Sequence, residues 1–106
     1  MKQRRIPVPR HLQADGRALW KRLTTEFRFD DGGSLELLDR ACVAADRASQ
    51  ARAIIARDGL TVATARGLQK HPAAVLERES VETLVRVFKL LGLHHAPDGP
   101  GRRTGS

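Results

Sequence analysis

The sequence predicts an all-α fold of about three helices, the last two forming a long hairpin with a short extended connector before the final helix. Three observations carry that expectation. Apolar residues recur at three-and-four spacing in three segments, and glycine-bearing breaks separate them. Aromatic residues are only 4% of the chain (Trp20, Phe27, Phe29 and Phe88) against 41% hydrophobic residues in all, so the core must be built from Leu, Val, Ile and Ala, which suits packed helices better than a sheet sandwich. Alanines crowd the stripe of the longest segment and allow close approach of a partner helix.

At 106 residues the chain is one domain at most. A domain of that size buries only about 60 to 65% of the surface its unfolded chain exposes, so stability is marginal and partners help. Residues 1–11 read as a basic arm in which Pro7 and Pro9 favour extended backbone that docks or stays disordered. Residues 12–93 read as the helical domain. The tail at 94–106, rich in Pro, Gly and Arg, has nothing to bury and is expected to be disordered.

Within the domain, Leu12, Leu19, Trp20, Leu23 and Phe27 define a first amphipathic helix from about Gln13. The run FDDGGS then breaks the pattern, and an Asp or Ser34 caps the next helix. That second helix runs from Ser34 to Asp58, with Leu38, Ala41, Ala45, Ala48 and Ile55 on its stripe, Leu37, Ala44, Ala51 and Ile54 broadening it, and Gly59 just past its end. LTVATARGLQK alternates polar and apolar residues and reads as a short strand or an ordered loop. His71 stands at the N-cap of a third helix and Pro72 at its first position, where a missing N–H costs nothing. That helix continues to about Leu91, with Val81, Leu84, Val85, Phe88 and Leu91 as its apolar stripe and Gly92 as its stop.

No catalytic constellation stands out. The single cysteine, Cys42, excludes an internal disulfide framework, fits a reducing compartment and reads as a buried small hydrophobe. No nucleophile elbow or phosphate-binding loop occurs, and His71, His94 and His95 lack a cysteine pair at zinc spacing. Asp30 and Asp31 read as helix caps, Glu77 and Glu79 as solvated charges. The expectation is a chain without catalytic residues, cofactor or metal. With no apolar run near the ~20 residues needed to cross a bilayer and no signal-peptide segment, a soluble intracellular protein is expected.

The net charge of +7 is placed unevenly. Lys2, Arg4, Arg5 and Arg10 cluster in the arm; Arg17 and Lys21 share one face of the first helix, with Arg22 one residue on. Clustered cations gain affinity for a polyanion by displacing its condensed counterions, without reading sequence, so these residues are the first candidates for DNA contact. Arg66 and Lys70 are the second, beside the positive N-terminus of the third helix, where anions are favoured.

In the order PRHLQADGRALWKRL, LLDRACVAADRASQARAII, RDGLTV, RGLQKHPAAVLERES and LLGL, roughly residues 9 to 93 resemble the small terminase subunits of tailed bacteriophages and prophages, in their short all-helical branch. No single motif carries the resemblance; the combination does. It implies a non-enzymatic component of the genome-packaging motor that binds double-stranded viral DNA in the host cytoplasm. It also implies a homo-oligomeric ring that loads or regulates the large terminase, where the ATPase and nuclease reside. The chain shows no helix-turn-helix of the kind several small terminases use, so no family site is carried onto its residues. Two competing readings are a small helical phage structural or connector protein and a DNA-binding transcriptional regulator.

Overall fold

The structure, a computed structural model, describes residues 6–93. Lys2, Arg4 and Arg5 and the tail at 94–106 lie outside the described residues. Three helices and one small hairpin occur in order: α1 (Ala14–Glu26), α2 (Gly32–Asp58), β1 (Thr61–Thr64), β2 (Gly67–Lys70) and α3 (Pro72–Leu91).

Local chemistry sets most of these boundaries. Asp31, in extended backbone, accepts hydrogen bonds from the Ser34 amide at 3.3 Å and the Ser34 hydroxyl at 2.7 Å. With Asp31 as the cap, α2 starts at Gly32, two residues earlier than the sequence reading, and both glycines fall inside the first turn. Gly59 takes positive φ (92°) with an extended ψ of 170°, which turns the chain sharply away from the helix axis. At the end of α3, Gly92 is left-handed, its amide donates to the Lys89 carbonyl at 3.1 Å, and the Leu93 amide donates to the Phe88 carbonyl at 2.8 Å. Together these form a Schellman closure.

The connector is more than a strand or a loop. It is an antiparallel hairpin with Thr61 opposite Lys70 and Thr64 opposite Gly67. Two residues, Ala65 and Arg66, make the turn. The Thr64 hydroxyl organises it by accepting from the Arg66 amide at 3.1 Å and donating to the Gly67 carbonyl at 2.9 Å. The His71 amide closes the base on the Leu60 carbonyl at 2.7 Å. Of the strand residues only Val62 is even partly buried, so the hairpin projects from the helices into solvent.

α2 is the central element and packs in two directions. Toward α3 it buries Ala41, Ala44, Ala48 and Ala51, the expected alanine seam. α3 answers with Ala73, Ser80 and Val87, one residue every seven. Toward α1, Leu38 and Cys42 join Leu12, Trp20, Leu23 and Phe29 in a buried cluster, against which Ile6, Val8, Phe88 and Leu91 pack in part.

The α3 stripe read from the sequence is only partly the face that meets α2. Leu84, Phe88 and Leu91 are half-buried, but Val81 is 41% exposed and Val85 49%. The reason is geometric: the seam of alanines draws α3 close along the line of Ala73, Ser80 and Val87, and at about 100° per residue Val81 and Val85 then fall on the flank of the helix.

Candidate nucleic-acid interface

The described cations of the first candidate set are carried by an N-terminal segment held at three points. Trp20 Nε1 donates to the Ile6 carbonyl at 3.4 Å. His11 Nε2 lies 2.7 Å from Asp39 Oδ1 on α2. Leu12 is fully buried in the main cluster. The part of the arm from Ile6 onward is therefore docked, and Arg10 is exposed on the turn that leads into α1.

The start of α1 depends on another helix. Its N-cap residue, Gln13, makes no side-chain cap. Asp46 of α2 takes that role instead: its carboxylate accepts from the Gln13 amide at 2.7 Å and the Gly16 amide at 2.6 Å. This places a buried negative charge against the positive end of the α1 dipole. Gly16 is needed for the approach, because a Cβ there would come 2.4 Å from Asp46 Oδ2 and 2.8 Å from the Cys42 carbonyl oxygen. With α1 so fixed, Arg17 and Lys21 stand one turn apart on its exposed face. Arg17 is itself steadied by its Nε, which donates to the Leu12 carbonyl at 2.8 Å. Arg22 is also exposed but lies 3.8 Å from Glu26, its i+4 partner.

Arg66 and Lys70 are exposed as well, Arg66 in the hairpin turn and Lys70 at the end of β2. They do not join the first group. α1 begins level with Cys42 and Asp46, whereas the hairpin comes after the end of α2 at Asp58 in a fold 61 Å long. Nor is the N-terminus of α3 an open anion seat. His71 Nδ1 accepts from the Ala73 amide at 2.9 Å, and His71 Nε2 donates to Asp58 Oδ2 at 3.1 Å. A carboxylate thus already occupies the neighbourhood. The Arg57 guanidinium and then the His71 ring hold the Asp58 carboxyl down at about 2, so it is negative throughout the ordinary pH range.

Cys42 is buried as expected, and burial, with Asp39 and Asp46 nearby, pushes its thiol up to about 12, a state unsuited to nucleophilic attack. Among the described residues no group of three or more His, Cys, Asp or Glu side chains converges on a metal site. No helix among them is long and apolar enough to cross a membrane.

The sequence reading missed Asp46 and Gly16, the pair that orients the basic face. A signal was present: Asp46 lies one helical turn after Cys42 on the stripe of α2 that faces inward. A lone acid on an apolar stripe calls for a buried hydrogen-bond donor.

The profile of one family, described as phage terminase, small subunit, matches residues 16–96, most of the chain and all of α1's exposed basic face. No curated protein and no solved structure matches the chain.

Proposed function

The chain belongs to the phage terminase small-subunit family, and from that premise we propose that it is the DNA-engaging, ring-forming component of a genome-packaging motor. It binds double-stranded viral DNA by its phosphates and recruits or regulates the large terminase in the host cytoplasm. The family is generally non-catalytic, and in this reading ATP hydrolysis and DNA cleavage belong to the large subunit.

The observation that carries the DNA-binding part is the presentation of Arg17 and Lys21 on one exposed face of a helix whose first turn is clamped by Asp46, with Arg10 exposed on the turn that leads into it. Charges held in place lose less conformational entropy on meeting a phosphate backbone than free side chains do. Lys2, Arg4 and Arg5 immediately precede this docked segment in the sequence and are further candidates for phosphate contact. Arg22, partly engaged by Glu26, is a weaker contributor. Arg66 and Lys70, at the far hairpin, form a second contact that only a long ligand reaches together with the first. Repetition of weak contacts around a ring gives avidity.

Salt dependence tests the reading. Each phosphate that a cation no longer neutralises lowers the slope of log K against log salt by about 0.9 for duplex DNA. Neutralising Arg17 and Lys21 together therefore reduces the slope by about 2, and Lys2, Arg4 and Arg5 by about 3, per binding subunit. An unchanged slope in both variants, with wild-type helicity by circular dichroism, removes this surface from the site.

A further inference from the structure

α3 has apolar flanks on two sides, and neither is covered by the rest of the described chain. On one, Ala74, Val81 and Val85 form a strip bordered by Arg78 and Glu82. On the other lies an open groove of about 360 Å³ between α3 and α2, with Val43, Ala44, Leu76 and Thr83 along its floor and Arg47 and Glu79 among the charges at its lips. Successive helical residues turn by about 100°, so Val81 and Val85 point away from Leu76 and Thr83 on opposite sides of α3.

Two different surfaces on opposite sides make an association that repeats. A copy that offers its valine strip to a neighbour's groove keeps its own groove free for a third copy. Such head-to-tail contacts close into rings when the rotation allows, whereas a two-fold dimer uses the same patch twice. The charges agree with this in register. α2 and α3 run antiparallel, with Arg52 against Glu77 at 3.4 Å and Ala44 sharing the groove with Ser80 and Thr83. Arg47 is thereby level with about Val81, and Val43 with about Val85. Neighbours related by rotation about an axis along the helices meet at equal height. Glu82 of one copy then faces Arg47 of the next, and Arg78 faces Glu79. Among the described residues Arg47 and Glu79 form no ion pair within their own chain, and Arg78 and Glu82 are only 3.9 Å apart as a loose i,i+4 pair.

We propose that neighbouring copies dock head to tail through these surfaces, Val81 and Val85 of one entering the α2/α3 groove of the next, with Glu82 to Arg47 and Arg78 to Glu79 at its lips. The proposal rests on the ring reading above and adds to it the faces that meet.

Native mass spectrometry of the full chain tests it with Arg47→Glu, Glu82→Arg, the double variant and an equimolar mixture of the two single variants. The wild type is expected at one closed multimeric mass. Each single reversal falls to monomer, because every interface then carries a like-charge contact. The double variant restores the multimer, and the mixture restores assemblies of even subunit number. Both positions are exposed, so substitution leaves the core intact, and circular dichroism checks helicity. Should a reversal unfold the chain, Arg47→Ala and Glu82→Ala introduce no repulsion and raise the concentration needed for assembly. Single reversals and alanine variants that keep the wild-type mass overturn the docking proposal and leave the ring reading standing, as does a folded double variant that stays monomeric. A wild type that is itself monomeric or dimeric overturns the ring reading as well.

Discussion

Replacing Asp46 tests how α1 is held. Its carboxylate accepts from the Gly16 amide at 2.6 Å and the Gln13 amide at 2.7 Å, and the residue is buried. Hydrogen bonds to a charged group are worth about 1.5–3 kcal/mol each. The Gly16 bond is buried and counts nearly in full; the Gln13 amide is only part-buried and regains water when its partner is lost, so it counts at the low end or below. Asp46→Ala is therefore expected to cost about 3 kcal/mol, and at about 4–8 °C per kcal/mol for a domain of this size the Tm falls by about 12–24 °C. Asp46→Asn keeps the shape but turns an amide N–H₂ toward one backbone N–H, so it recovers half the loss at most. The assay is thermal unfolding at one fixed protomer concentration, since assembly contributes to apparent stability. Trp20 fluorescence is followed beside helicity, because Trp20 sits in the cluster that α1 closes. Release of α1 exposes Trp20 before α2 and α3 melt. A Tm for Asp46→Ala within about 3 °C of wild type, well short of the expected loss, or an Asn variant as stable as wild type, would refute the clamp.

Two further predictions concern single groups. Asp58 should titrate near pH 2, and His71→Ala should raise that midpoint only part of the way to the usual carboxylate value, since Arg57 is the larger cause and remains. The shift is downward, so the tie at the hairpin base contributes above pH ~4 and is lost as pH falls from about 4 to 2; a carboxyl carbon NMR titration centred near pH ~4 in the wild type, the ordinary carboxylate value, rules the tie out. Cys42, buried and held protonated, should resist thiol reagents at about pH 8 in the folded protein and react within minutes in denaturant. Rapid labelling of the native chain means that α1 and α2 separate readily.

The elements the sequence revealed are those fixed by neighbours in the chain. His71-Pro72 and Leu-Gly-Leu bound α3 at both ends because capping and left-handed stops are local events, and Asp31 needs only Ser34 to start α2. The hairpin was half legible: alternation is visible in LTVATARGLQK, but its pairing depends on Thr64 and a positive φ of 103° at Gly67. Asp46 was illegible as a cap because the helix it caps lies 30 residues earlier. The two groups of cations were legible in the sequence, but not the distance between them, which follows from the packing of α1 on α2 and the place of the hairpin beyond the end of α2.

The misplaced stripe of α3 links the interior to the assembly. Hydrophobicity alone ranks Val81 and Val85 above Ala73 and Ser80 for burial, yet the chain buries the small pair and exposes the large one. The seven-residue repeat that turns Ala73, Ser80 and Val87 toward the alanine seam of α2 places Val81 and Val85 on the flank of α3. On the docking proposal, the packing that makes the hairpin tight leaves Val81 and Val85 on a flank that a second copy covers. In this reading the basic face of α1 is set by the opposite side of α2, through Asp46, so phosphate contact and subunit docking occupy separate faces of the fold.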